Sequence, residues 1–146
     1  MSATPVTDCF IETNILLYAV STASGEATKA SIARQLLETR DWAWSAQVAA
    51  EFVRASTSPK QALPLTRAEA RRWIETWMVF PMLPVDGALV LSAMVLAERF
   101  QVSHFDAQIL AAAERLGCKT LYSEDLSHGQ TYGSVRVLNP FLPQST

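Results

Sequence analysis

Four acidic residues stand where a carboxylate has chemistry open to it. Glu12 follows the β-branched, aromatic run Val6–Ile11, and Asp125 follows a second strand signal at Lys119–Ser123. If both runs are parallel strands, both acids point to the carboxyl edge of one sheet, where α/β domains collect ligands. Read one at a time, each is also an ordinary carboxylate at a helix start or turn. Glu51 lies three residues after Val48 and four before Ala55, on the apolar stripe of a helical segment. An unpaired carboxylate there costs several kcal/mol, so it needs a partner, and Arg54 at i+3 is the nearest cation. Asp106 heads the stripe Ile109, Leu110, Ala113 and Leu116, and Ser103–Asp106 also fits a capping box. Acids gathered at one edge raise one another's pKa values unless a cation joins them. Oxygen-only ligation suits Mg²⁺ or Mn²⁺ rather than zinc.

The elements that must position these acids alternate. Helical spacing runs over Ile15–Val20, Glu26–Arg40 after a break at Gly25, and Ala46–Ala55 after the short aromatic strand Trp42–Ser45. Ser56–Pro64 is loop in composition. Thr66 with Glu69 forms a capping box for a helix whose inner stripe is Ala70, Trp73, Ile74 and Trp77. Pro81 and Pro84 bracket a short strand near Met82–Val85, and Asp86 caps an apolar helix over Ala88–Phe100. Ser103 opens a helix through Leu116, stopped by Gly117, and Val135–Leu138 is the last strand signal. Strands alternating with helices predict one α/β domain over residues 1–146, a three-layer α/β/α arrangement around a parallel sheet.

Composition agrees. The 146 residues are 49% hydrophobic and 18% charged, enough for one core and no case for disorder. A net charge of −2 excludes a histone-like polycation, and Cys9 and Cys118 are too few for a disulfide scaffold. The longest apolar run, Ala88–Ala97, is well short of the roughly 20 residues a bilayer needs. The expectation is a cytoplasmic protein. His104 and His128 stand alone rather than in a zinc pattern, and read as surface residues. There is no phosphate-binding glycine loop and no G-x-S-x-G elbow.

Four segments carry a family resemblance. The run Cys9–Tyr18 with Glu12-Thr-Asn14 resembles the first motif of PIN-domain proteins, Ser45–Phe52 with Glu51 the second, Ser103–Ala113 with Asp106 the third, and Thr120–Leu126 with Asp125 the fourth. Length and the ending Tyr122-Ser-Glu-Asp-Leu…Asn139-Pro-Phe are similar to the VapC-type toxins of toxin–antitoxin pairs. The resemblance implies a PIN-like fold and an Mg²⁺- or Mn²⁺-dependent endoribonuclease with Glu12, Glu51, Asp106 and Asp125 as metal-binding, catalytic acids. Asn14 and Ser123 would orient them. It also implies an RNA substrate, a cognate antitoxin and a homodimer, for which the stretch Trp73–Met78 is the candidate interface.

One position departs from the pattern, which has Asp where this chain has Glu12. The extra methylene moves the carboxylate about 1.5 Å or folds it back, and Mg²⁺ demands near-ideal geometry. Natural tolerance, a weakened enzyme and a silencing replacement all remain open. Glu12 is expected at a strand end, open to solvent or metal. Arg54, Lys60, Arg67, Arg71 and Arg72 form either an RNA-contacting rim or a solvated helix face paired with Glu69 and Glu75. Without the four acids the net charge of −2 becomes +2. The four tryptophans fit a core better than a base-stacking surface, and Cys9 fits plain packing. The competing function is a silent PIN-fold module that binds RNA or an antitoxin without cleavage. A receiver-like signalling domain is disfavoured, since the late Lys119 precedes its strand.

Overall fold

The computed structural model of the chain describes residues 7–143. Six strands form one sheet in the order β3-β2-β1-β4-β6-β5. They are β1 Cys9–Ile11, β2 Trp42–Ser45, β3 Met82–Leu83, β4 Thr120–Tyr122, β5 Thr131–Tyr132 and β6 Val135–Leu138. The first four pairings are parallel, with Cys9 opposite Trp42 and Thr120, and Thr120 opposite Arg136. Only β5 runs antiparallel, against β6. The two central strands are apolar on both faces because helices cover both: every residue of β1 and β2 is buried. The helices are α1 Thr13–Val20, α2 Ala27–Thr39, α3 Ala46–Ser56, α4 Arg67–Trp77, α5 Gly87–Phe100 and α6 His104–Arg115. The sequence-predicted α/β arrangement, a central and mostly parallel sheet flanked by helices, is the one observed.

The predicted caps are present. Thr66, Asp86 and Ser103 each accept the hydrogen bond that starts their helix, and Thr66–Glu69 closes a full capping box; Ser45, expected only as a strand end, also caps α3. Ser103–Asp106 makes only the first half of one. Gly117 follows α6 at φ +75°, the left-handed conformation glycine adopts without strain. The break at Gly25 is a 3-10 turn, Ser24–Glu26. The first strand is shorter than its sequence signal, and Val6 lies outside the described residues. β5 was not expected. Two residues are too short for a period, but Gly133-Ser134 between Tyr132 and Val135 is a hairpin signal.

An aromatic cluster locks α3 and α4 to the β2 end of the sheet. Trp42 and Trp44 are wholly buried, Phe52 meets Trp77 edge-on at 5.0 Å, and Trp42 stacks on Phe80 at 4.0 Å. Both indole N–H groups are satisfied, by Leu37 O and Phe80 O. Trp73 remains 38% exposed, stacked on Trp77. Cys9 is a buried packing residue whose thiol is pushed up to about 12, chiefly by burial. Among the described residues no helix is long and apolar enough to cross a membrane.

Candidate metal centre

The strand order reverses direction at β1, whose neighbours are β2 on one side and β4 on the other. Such a switch point opens a crevice beyond the strand ends, because the following helices leave to opposite sides. Glu12 ends β1, and its N–H donates to Tyr122 O at 3.2 Å, which fixes it beside the end of β4. Asp125 lies in the loop after β4. Glu12 and Asp125 are therefore at the carboxyl ends of adjacent strands, as the sequence requires. α3 brings Glu51 to the same cleft, a cavity of about 550 Å³ that Glu12, Glu51 and Asp125 all line. Asp106, in the first turn of α6, does not line it, but its charge bears on Glu12.

The three acids that line the cleft are held by neutral donors. The Glu51 carboxylate accepts from Thr13 Oγ1 and from Gln47 Nε2, each at 2.8 Å. This corrects the expected pairing with Arg54, which lines the cavity rim without bonding Glu51. Asn14 Nδ2 donates to Asp125 Oδ2 at 3.1 Å. Ser123, fully buried, donates through Oγ to Glu12 and accepts from the N–H groups of Asp125 and Leu126. That single hydroxyl fixes both the Glu12 side chain and the turn bearing Asp125.

Glu12 itself is 3% exposed, not open to solvent as expected. Its carboxylate accepts from the buried Ser123 hydroxyl. Burial pushes its carboxyl up to about 8; the Ser123 hydrogen bond pulls the other way, and the charges of Asp125, Asp106 and Glu51 push it further up. A buried acid in that state is short of positive charge. Asn14 Oδ1 is buried nearby without any hydrogen-bond partner. Among the described residues, no three His, Cys, Asp or Glu stand close enough together to hold one ion as they lie. The oxygen-only donors, the charge deficit and the orphaned Asn14 oxygen are the chemistry that would suit a hard divalent cation.

Several contributors are absent from the sequence reading. Gln47 also donates to Phe105 O at 3.2 Å and accepts from Gln108 Nε2 at 2.7 Å. His104 Nε2 lies 3.2 Å from Gln108 Oε1, so His104 is part of this network and not a free surface residue. The pairs Gln47/Glu51 and His104/Gln108 are both at i,i+4, a spacing that signals contact on a helix. Beside the cleft, Lys29 bridges Glu124 and Tyr18, tethering the residue before Asp125 to α2. Of the five basic candidates only Arg54 lines the cleft. Lys60, Arg67, Arg71 and Arg72 are exposed elsewhere, and Arg71 pairs with Glu75.

Fold and site together define an open α/β domain with an oxygen-rich acidic cleft at the switch point of its sheet. The PIN domain family model matches residues 9–133, and the chain belongs to that family. A comparison with curated proteins gave no match. Among solved structures, a toxin–antitoxin complex from Klebsiella pneumoniae superposes with a TM-score of 0.69 at 18% identity, covering 92% of this chain and 98% of that one. VapC20 of Mycobacterium tuberculosis, a Sarcin-Ricin loop cleaving toxin, gives 0.66 at 18% identity over 81% and 90%. VapBC2 from Rickettsia felis, bound to a DNA fragment from its promoter, gives 0.59 at 14% identity over 88% and 96%. The fold is the one these proteins share.

Proposed function

We propose that the chain, a single PIN-like domain over residues 1–146, is a metal-dependent endoribonuclease toxin of a toxin–antitoxin pair, acting in the cytoplasm. The observation that carries this reading is the meeting of Glu12, Glu51 and Asp125 from three separate elements in one cleft, with Asp106 close enough to act on Glu12. Membership of the PIN family and the toxin–antitoxin assemblies that share the fold support it.

Glu12, Asp106 and Asp125 would hold Mg²⁺ or Mn²⁺, with Glu51 completing the set. Bound there, the ion supplies charge to a phosphoryl oxygen and acidity to the attacking water. The chain's own residues do the positioning. Thr13 and Gln47 fix both oxygens of Glu51, Asn14 aims Asp125, and Ser123 sets Glu12. Arg54 on the rim offers a guanidinium to RNA phosphate. Phe105 lines the same cleft and is 64% exposed, a ring on which a base can stack, where the buried tryptophans cannot. A cognate antitoxin would neutralise the acids with a basic residue. A homodimer would cover the exposed Trp73, Met78 and Val79.

Glu12 favours a second reading, a PIN module that binds RNA or antitoxin without cutting. Its carboxylate accepts from the buried Ser123 hydroxyl, and the residue is almost wholly shielded from solvent. Incubating the purified chain with total RNA and Mg²⁺ or Mn²⁺, beside its Glu12→Asp and Asp106→Asn forms, decides between them. Cleavage lost in Asp106→Asn supports the nuclease. Cleavage by Glu12→Asp alone supports the silent module. No cleavage by either chain bearing Asp106 contradicts the proposal.

A further inference from the structure

A second charged region lies on the sheet, and it is opposite in sign. Along β6, Val135 and Val137 are buried while Arg136 and Leu138 are not; along β4, Leu121 is buried while Thr120 and Tyr122 are half-exposed. Side chains alternate across a strand, so one face of this pair is sealed and the other open. The open face is a cavity of about 510 Å³ walled by α2 and by residues 139–143. Arg40, Arg136 and His128 line it, with Tyr122, Gln35 and Asn139.

No Asp or Glu lines this cavity, in a chain with fourteen of them. Among the described residues, neither Arg40 nor Arg136 makes an ion pair or a side-chain hydrogen bond. Asp8, the acid whose charge reaches Tyr122, is occupied by the N–H of Asp41 and is not in the lining. His128 Nδ1 accepts from the N–H of Asn139 at 2.9 Å, which leaves the ring's proton on Nε2 as a donor. Two guanidiniums, one imidazole N–H and two carboxamides thus surround an aromatic wall. Guanidiniums match phosphate oxygens in pairs, and the Tyr122 ring offers a face for a base.

We propose that this cavity binds a phosphoryl ligand of nucleotide size, its phosphate on Arg40, Arg136 and His128 and its base against Tyr122. The site stands on its own residues and is independent of whether the acidic cleft cuts RNA. The loop after β4 supplies Asp125 to the acidic cleft and His128 to this cavity.

The test is calorimetric titration of the full chain in EDTA, which prevents cleavage, with three probes: a nucleoside monophosphate, a short single-stranded RNA and inorganic phosphate. The proposal expects the monophosphate or the RNA to bind more tightly than inorganic phosphate. It also expects the Arg40→Gln, Arg136→Gln double variant to lose at least about tenfold in affinity. Binding by the monophosphate marks a free-nucleotide site; binding by the RNA alone marks a track for a strand. Both uphold it. Should the double variant fail to fold, shielding of Arg40 and Arg136 from an arginine-specific reagent by the same probes, read by mass spectrometry on the unmutated chain, replaces it. Absence of binding, equal affinity in the variant, no shielding, or inorganic phosphate binding as well as the nucleotide overturns the proposal.

Discussion

α3 has two working faces, and they are built on different rules. One buries Val48 and Phe52, and Phe52 lies against Trp77 inside the aromatic cluster. The other carries Gln47, Glu51 and Arg54 into the acidic cleft. The apolar face is held by area removed from water, which is non-directional and tolerant of detail. The polar face is held by directed bonds: Thr13 and Gln108 donate to it, and Gln47 donates to the Phe105 carbonyl, the partners lying on α1 and α6. A substitution on the first face should cost stability, and one on the second should cost chemistry.

The largest effect is expected on the apolar face. Phe52→Ala removes a fully buried ring and should destabilise the chain by about 3–5 kcal/mol, read from the midpoint of urea unfolding. Activity per folded molecule should change little. A variant that melts normally but fails to cut would break the division between the faces.

Next comes the pH dependence set by Glu12. Its folded carboxyl sits at about 8 against an ordinary 4.5, so between these values the folded state holds a proton the unfolded state has lost. The metal-free chain should therefore be most stable below about pH 4.5 with respect to this group, losing that contribution as pH rises through 8. The loss is on the order of 5 kcal/mol at 1.36 kcal/mol per unit. Urea midpoints at pH 6 and pH 9 in EDTA should fall for the unmutated chain and stay flatter for Glu12→Gln. An equal slope in both would place the titrating group elsewhere.

Glu51→Gln should leave the urea midpoint within about 1 kcal/mol, since the amide keeps the shape and one acceptor. It should cut RNA cleavage by about 10²-fold or more, because the neutral amide removes one of the negative charges that would hold the cation. Gln47→Ala should cost less, about tenfold, because it loosens Glu51 without removing it. Its signature is a weaker divalent-ion affinity that Gln47→Glu, which cannot donate, fails to restore. At the small end, Arg71→Ala breaks an exposed ion pair with Glu75 and should shift stability by no more than about 0.5 kcal/mol.

The same division explains what was legible in the sequence. Apolar periodicity located the helices and the tryptophan core, because burial leaves a pattern in every turn. Caps at Thr66, Asp86 and Ser103 are local chemistry and could be read directly. Glu12 and Asp125 could be singled out as acids following strands, and Glu51 and Asp106 as acids on apolar helix stripes; the structure brings Glu12, Glu51 and Asp125 to one cleft and leaves Asp106 outside its lining. Their partners could not be found that way. Thr13 bonds a residue thirty-eight positions on, and Gln47 and Gln108 meet across sixty-one, separations that only the tertiary fold closes. The burial of Glu12 was missed for the same reason, since it depends on Ser123, remote in sequence but at the end of the neighbouring strand β4. Arg40 and Arg136 look like ordinary surface arginines until the open face between β4 and β6 is seen.

The central claim is that the acids form a site for a divalent cation, and calorimetric titration of the chain with Mn²⁺ tests it most directly. Performed at pH 7 in buffers of different ionisation heat, it should show saturable binding with release of close to one proton, as Glu12 gives up the proton that burial and its neighbours hold on it. The affinity should rise with pH up to about 8 and then level, and Asp106→Asn should weaken it. No saturable binding, or binding without proton release and indifferent to Asp106→Asn, would contradict the account.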